Sequence, residues 1–77
     1  MTTHPLASVK FTARQLQVLA GLVRGDLQVK IADCLGISES RVEVIVSDIK
    51  RKLDAPSCPA AVAKAVALGL VNPFEDD

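Results

Sequence analysis

Apolar residues recur along the first third of the chain at the spacing of an amphipathic α-helix. The stripe consists of Leu16, Leu19, Ala20 and Val23. Positions i, i+3, i+4 and i+7 lie on one face of a helix, so this face is expected to be buried. Thr12 followed by Gln15 is typical of a capping box, and Gly25 is a natural stop. The pattern predicts a first helix over about residues 12–24.

A second, shorter helix is predicted over about residues 28–35. Its buried stripe consists of Ile31, Ala32 and Leu35. Asp26 is the candidate N-cap, because a carboxylate there can accept a hydrogen bond from a free backbone N–H group. Gly36 closes the helix, since a left-handed backbone conformation costs glycine little.

A third and longer helix is predicted over about residues 38–53, with Ser38 as its cap. The stripe expected to face the core consists of Val42, Val46, Ile49 and Leu53. Val44 and Ile45 lie off this stripe. A strand is the competing prediction for residues 42–46, because β-branched residues favour strands. The length, the cap and the basic last turn (residues 50–52) favour the helix.

The fourth helix is predicted over about residues 59–69, after a connection that contains two prolines. Pro59 is tolerated in a first helical turn, where its missing N–H group has no partner to lose. Gly69 ends this alanine-rich segment. The expected division of the chain is a flexible arm (1–10), one domain (11–71) and an acidic tail (72–77).

The second and third predicted helices are separated by a very short turn and form a helix-turn-helix. Ala32 is small enough for the third helix to pack across it, Gly36 makes the turn, and Ile37 reaches the core. The predicted fold is therefore an all-α bundle of four helices that contains a helix-turn-helix. The same geometry occurs in proteins that never contact DNA, so it does not define a function alone.

Composition excludes several classes of protein. The chain has 77 residues, of which 49% are hydrophobic, enough for one small core. Two Phe and no Trp or Tyr argue against an aromatic platform for single-stranded nucleic acid. Cys34, Cys58 and His4 cannot make a four-ligand zinc site without carboxylates, and no metal and no cofactor are expected. No segment has the pattern of a signal peptide or a membrane span, which predicts a cytoplasmic protein, and an enzyme is not expected.

The formal net charge of zero is unevenly distributed. Nine basic side chains balance nine acidic ones, but three acids stand together at residues 75–77. Without this tail the balance is +3. Lys10, Arg14 and Arg24 precede the first acid, and residues 50–52 form a second basic run. A mildly basic body of this kind is compatible with a nucleic-acid partner.

Many residues between positions 11 and 71 match the sequence pattern of one known family. They are Phe11-Thr12-Ala13-Arg14, Val18-Leu19, Gly25, Ile31-Ala32, Leu35-Gly36-Ile37-Ser38-Glu39, Val42, Val44, Val46-Ser47, Ile49, Arg51-Lys52-Leu53, Ser57, Ala61-Val62-Ala63, Ala65 and Leu68-Gly69-Leu70. With them the chain resembles the LuxR/GerE-type DNA-binding domain of bacterial transcription factors. The resemblance implies four helices with the third in the major groove of double-stranded DNA, and a homodimer through the fourth. The length resembles that of free-standing members without a sensor domain.

The resemblance and the helical pattern together suggest three sets of site residues. The candidates for reading bases are Ser40, Arg41, Glu43, Val44 and Ser47. The candidates for contacting phosphates are Arg14, Lys30, Ser38, Lys50 and Arg51. The fourth helix has more apolar surface than one thin core can absorb, and its dimer candidates are Val62, Ala65, Val66, Leu68 and Gly69. The alternative for the base-reading candidates is a helix face that is only solvated. The alternative for the dimer candidates is that they close the core of the monomer.

The chain departs from the family pattern on the third helix. Family members usually carry Lys at Glu43, Thr at Arg41, His at Ile45 and Asn at Asp48. Acids at two of these positions repel phosphates, so weak non-specific binding to DNA is expected. Glu43 can instead accept a hydrogen bond from cytosine N4. The usual Ser/Thr and Glu cap of the second helix is replaced by Leu27 and Lys30, so the cap is expected to be weaker or to shift to Asp26. Lys30 is then predicted to be a free cation near the DNA backbone.

These departures keep two functions open. The first is a small bacterial transcriptional regulator that binds duplex DNA as a dimer. The second is an interaction protein that keeps the fold, pairs with a LuxR-type activator through the fourth helix and inhibits it. RNA polymerase is a further candidate partner.

Overall fold

The computed structural model describes residues 10–70, and within them the chain folds into four α-helices and no strand. The helices are α1 (Ala13–Arg24), α2 (Gln28–Leu35), α3 (Glu39–Lys52) and α4 (Cys58–Ala67). The predicted all-α fold and its four helices are confirmed, with each end within two residues of the predicted one. The helix over residues 42–46 excludes the strand. The acidic tail, His4 and the predicted arm up to residue 9 lie outside the described residues.

The first turn of α1 is fixed by the capping box that the sequence predicts. The Thr12 hydroxyl accepts a hydrogen bond from the Gln15 N–H group, and the Gln15 side chain accepts one from the Thr12 N–H group, each at 3.0 Å. Two backbone donors that the helix leaves free are thereby satisfied. At the other end Gly25 has φ 87° and donates to the carbonyls of Gly21 and Leu22.

Removal of this cap gives a first testable prediction. Thr12→Ala is expected to lower the free energy of unfolding by about 1 kcal/mol, because the Gln15 N–H group loses its acceptor. Chemical denaturation followed by circular dichroism measures the change. Thr12→Ser keeps the hydroxyl and is the matched control, expected to unfold close to the parent protein. Equal stability of the Ala variant and the parent would contradict the role given to the cap.

The buried face of α1 differs from the predicted stripe. Leu16 is 36% exposed, whereas Gln15, Val18 and Leu19 are buried. The helix is turned relative to the prediction, and the inward-facing Gln15 side chain accepts a hydrogen bond from Lys52. Gly21 is buried as well, and a Cβ atom there would lie 2.8 Å from Ile31 Cγ1. The absence of a side chain at this glycine therefore allows α1 and α2 to approach closely.

Helix α3 supplies the centre of the core and packs against the other three helices. All four residues of its predicted stripe are buried. Ile45 is also buried, at 7% exposure, so the expectation that it lies off the core was wrong. The reason is that neighbours on several sides cover a wider arc of α3 than a single stripe. Val44 remains exposed, as predicted.

The connection between α3 and α4 is closed by polar contacts at both ends. Ser57 caps α4 by accepting a hydrogen bond from the Ala60 N–H group at 3.3 Å, and Pro59 lies in the first turn. Lys64 on α4 donates to the carbonyls of Leu53 and Asp54 at 3.1 and 2.7 Å. Because those carbonyls follow α3, Lys64 provides partners that the helix end cannot supply itself.

Candidate nucleic-acid interface

The turn between α2 and α3 has the geometry of a helix-turn-helix. Gly36 has φ 70° and ends α2, and the Ile37 N–H group donates to the Ala32 carbonyl at 3.0 Å. Ile37 is half-buried and packs against the core, which fixes the angle at which the chain enters α3. The Ser38 hydroxyl then accepts a hydrogen bond from the Arg41 N–H group at 3.0 Å. The predicted roles of Gly36, Ile37 and the Ser38 cap are confirmed.

The start of α2 differs from the prediction in two respects. The N-cap is Leu27, which makes no side-chain capping hydrogen bond, so the cap is weaker, as one alternative predicts, and the assignment of Asp26 as the cap was wrong. Asp26 instead accepts hydrogen bonds from Arg24 and lies 3.7 Å from the Lys30 ammonium nitrogen. Lys30 is therefore paired, and its prediction as a free cation was also wrong. The Asp26 side chain, between the end of α1 and the first turn of α2, is within reach of both cations.

The face of α3 opposite the core carries the residues predicted to read bases. We define the exposed α3 face by Ser40, Arg41, Glu43, Val44, Ser47 and Arg51, all of which are exposed. Ser40, Val44, Ser47 and Arg51 follow one another at i, i+4, i+7 and i+11 and form a line along the helix. At 1.5 Å per residue this line is about 16 Å long. Val44, at 53% exposure, is its apolar member.

The residues predicted to contact phosphates differ in whether their side chains already have a partner within the protein. Arg14 donates to the Leu35 carbonyl at 3.4 Å, a long bond, and the Ser38 hydroxyl is used as a cap. Arg51 forms an ion pair with Asp48, three residues earlier on α3. Within residues 10–70, Arg41 and Lys50 form no ion pair, and Arg41 is exposed while Lys50 is half-buried. No acidic side chain of that part of the chain competes for these two cations when an external anion approaches.

A further polar contact, which no sequence pattern indicates, fixes the last turn of α3. Lys52 donates to the Lys10 carbonyl and to the Gln15 side chain, both at 2.8 Å, and its ammonium group lies 5.2 Å from the centre of the Phe11 ring. The side chain thus ties the end of α3 to the start of α1. The only sequence signal was a lysine at this point of the basic run, where charge stabilisation of the helix end explained it equally well.

The surface of α4 keeps part of its predicted apolar area. Val66 is 38% exposed, Val62 and Leu68 are half-buried, and Gly69 is exposed. Ala65 is fully buried in the core of its own domain, so this residue is not available to a partner and its assignment to an interface was wrong. An alanine offers too little sequence information to distinguish an internal contact from an external one. The apolar surface that remains on α4 borders the core.

Residues 10–70 show no sign of a metal site, a membrane-spanning helix or a disulfide bond. No group of three or more His, Cys, Asp or Glu side chains comes together there in a way that could hold a metal ion. In the same part of the chain, no helix has both the length and the hydrophobicity needed to cross a membrane. Cys34 is exposed and Cys58 is half-buried, and both are free thiols.

The described residues define a small helix-turn-helix domain. Its longest helix presents an exposed polar face, and nine basic against six acidic side chains leave it with a charge of +3. Residues 9–65, more than half of the chain, match the family model that describes bacterial regulatory proteins of the luxR family. The chain therefore belongs to the LuxR family.

Two curated relatives are similar to most of this chain. It is 36% identical over 68 residues to the HTH-type quorum sensing-dependent transcriptional regulator RpaR of Rhodopseudomonas palustris. It is 37% identical over 67 residues to the transcriptional activator protein SolR of Ralstonia nicotianae. These matches cover 88% and 87% of this chain, and the chain spans 28% of the length of each relative.

Proposed function

We propose that the domain binds duplex DNA and regulates transcription in the cytoplasm, with α3 lying in the major groove. The observation that carries the proposal is the exposed α3 face. A helix presented by a helix-turn-helix fits the major groove, which is about 12 Å wide. Family membership and two relatives named as transcriptional regulators support the same function. The core-facing residues of α3 hold the helix so that its opposite face meets the groove.

Base recognition is assigned to Ser40, Val44 and Ser47 in the line along α3, and to the two residues beside it. Val44 fits the methyl group of thymine, because it is the exposed apolar side chain of this face. The hydroxyls of Ser40 and Ser47 can donate to or accept from base edges. Arg41 suits guanine O6 and N7, and Glu43 suits the amino group of cytosine. The DNA sequence expected to bind therefore contains both A·T and G·C base pairs. Val44 contacts a thymine, and Arg41 and Glu43 contact a guanine and a cytosine beside it.

Phosphate contacts are expected to fix the orientation of the domain on the duplex. Lys50 is the strongest candidate among those predicted, because it forms no ion pair within residues 10–70 and extends from the last turn of α3. Arg14 needs only to release the long hydrogen bond to Leu35. Ser38 can donate its hydroxyl hydrogen while its oxygen keeps the cap, and Lys30 and Arg51 must first leave their acidic partners.

Dimerisation is assigned to α4. Val62 and Val66 present apolar surface there, Leu68 and the exposed Gly69 follow, and apolar surface of this kind favours contact with a second copy. A two-fold axis through α4 would place two copies of α3 about 34 Å apart, one turn of DNA, and the site would then be nearly palindromic. Sedimentation equilibrium tests this arrangement, because the chain has a mass of 8.2 kDa and a dimer doubles it.

The direct test of DNA binding is a fluorescence anisotropy titration with a pool of mixed-sequence duplexes at low and moderate salt. Binding with a Kd below about 10 μM at low salt, weakened by added salt, supports the proposal. A Kd weaker than this at low salt would contradict it, because non-specific binding by a domain of this class is commonly as tight. Selection from the pool then identifies the preferred sequence.

A second function is favoured by the acids on α3. Glu43 lies on the exposed α3 face, and Asp48 forms an ion pair with Arg51. A domain with a weakened DNA surface and an intact α4 can pair with a LuxR-type activator and prevent its binding to DNA. Co-purification with such an activator, together with loss of the activator's DNA binding, would favour this function. A homodimer that binds a specific site through α3 would exclude it as the main activity.

A further inference from the structure

Asp48 and Arg51 form an ion pair on α3 at the edge of the face that meets DNA in the proposed function. They are three residues apart, so their side chains project from adjacent turns on the same side of the helix. The Arg51 side chain is 75% exposed and the Asp48 side chain is 36% exposed. The guanidinium group is therefore accessible to an external anion, but a carboxylate of the same chain already contacts it.

A carboxylate and a DNA phosphate bind arginine in the same way. Both are anions with oxygens that accept hydrogen bonds from the planar guanidinium group. Asp48 is held next to Arg51 by the helix, so no second molecule is needed to form this pair. A phosphate that approaches Arg51 must displace the carboxylate or share the cation with it.

The exchange is feasible because an exposed ion pair on a helix is weak. When the phosphate replaces Asp48, the carboxylate remains within a few ångströms of it and repels it. The gain from the new contact is then reduced, and fewer counterions leave the DNA than a free arginine would release. Arg51 thus contributes less to sequence-independent affinity than its exposure suggests.

We propose that Asp48 is an internal competitor of DNA phosphate for Arg51 and lowers the electrostatic part of DNA affinity. This inference rests on the proposed DNA-binding function and concerns the regulation of that same site. The consequence is a domain that spends less time on DNA of arbitrary sequence, while the base contacts of the exposed α3 face are unchanged.

The test compares Asp48→Asn with a matched control, Asp54→Asn. Both substitutions remove one negative charge through the same chemical change, but within residues 10–70 Asp54 forms no ion pair. Asp54 has φ 53°, a conformation that Asn tolerates as well as Asp, so the control does not strain the backbone. Affinity for a mixed-sequence duplex is measured by anisotropy from about 50 to 200 mM salt, a range over which phosphate contacts weaken measurably.

Asp48→Asn is expected to bind about three- to tenfold more tightly at low salt, with a slope of log K against log salt steeper by up to about 0.9, the value for one phosphate contact. Asp54→Asn is expected to change affinity about twofold or less, because its charge is screened and it releases no cation. In an Arg51→Gln background, Asp48→Asn should lose its additional effect on the slope.

The outcomes separate this inference from the function on which it rests. Equal effects of Asp48→Asn and Asp54→Asn would overturn the inference while leaving DNA binding intact, since net charge alone would then explain both. Persistence of the Asp48→Asn effect without Arg51 would overturn it as well. If no variant binds DNA at low salt, the proposed function itself fails. Circular dichroism of each variant, and Asp48→Ser as a second substitution, exclude a loss of folding as the cause.

Discussion

Glu43→Lys is expected to tighten binding of the domain to mixed-sequence duplex DNA by about tenfold at low salt and to steepen the salt dependence by about 0.9, the contribution of one phosphate contact. Glu43 is exposed on α3, beside the line formed by Ser40, Val44 and Ser47. The reversal removes a charge that repels phosphate and introduces one that attracts it. Because the side chain is exposed, the change should have little effect on folding.

Two control variants test whether the effect of Glu43→Lys depends on its position on the exposed α3 face and not on net charge alone. Glu43→Gln removes the negative charge without adding a positive one, so its affinity should lie between those of the parent and the Lys variant. Asp54→Asn removes one acid just beyond the last turn of α3, at a positive φ that Asn tolerates, and should have a smaller effect than Glu43→Gln. If Glu43→Lys changed neither affinity nor salt slope, the exposed α3 face would not meet DNA.

Val42→Ala is expected to lower the free energy of unfolding by about 2–3 kcal/mol, because two methyl groups are lost from a fully packed site and a cavity is left behind. Val42 has no exposed surface. At about 0.05–0.15 kcal/mol per residue, the whole chain has only about 4–12 kcal/mol of stability. One substitution therefore removes a large share of it.

Val44→Ala is the matched control, since it makes the same change on the opposite face of the same helix. Val44 is 53% exposed, so the loss of stability should stay within about 0.5 kcal/mol. Denaturant unfolding measures both variants. In the DNA titration the order should reverse, with Val44→Ala weakening binding to the preferred sequence while folded Val42→Ala keeps it. Similar destabilisation by the two substitutions would contradict the assignment of the faces of α3.

Both ends of α1 and the turn between α2 and α3 could be predicted from the sequence because local chemistry determines them. Thr12 and Gln15 satisfy each other's backbone groups within one turn, and Gly25 and Gly36 adopt the left-handed conformation that a helix stop requires. These interactions need no partner from elsewhere in the chain. The predicted helices were accurate for this reason, and the capped turn between α2 and α3 followed from the same reasoning.

The rotation of α1 could not be predicted from periodicity. Most positions between Leu16 and Val23 are apolar, so more than one stripe fits the helical spacing. Which stripe is buried depends on contacts distant in sequence, and the hydrogen bond from Lys52 to the inward-facing Gln15 is one of them. Ile45 was misplaced for a related reason, because burial on α3 depends on how many helices surround it.

The position of the exposed α3 face was predictable, whereas the state of its charges was not. Once Val42 and Ile49 were assigned to the core, the helical period placed Val44 on the opposite side. Ion pairs depend on side-chain directions and on nearby acids. The i, i+4 and i, i+3 spacings of Asp26–Lys30 and Asp48–Arg51 permit ion pairs, but spacing alone did not show that these pairs form.

The central claim is that the exposed α3 face contacts duplex DNA, and a nuclear magnetic resonance titration tests it most directly. Isotope-labelled protein is titrated with a mixed-sequence duplex of about 20 base pairs, long enough for two half-sites one turn apart, at low salt. The amide signals of Ser40, Val44 and Ser47 are expected to shift most, with smaller changes at the buried positions of α3. Shifts confined to α4, or no shifts at all, would contradict the claim.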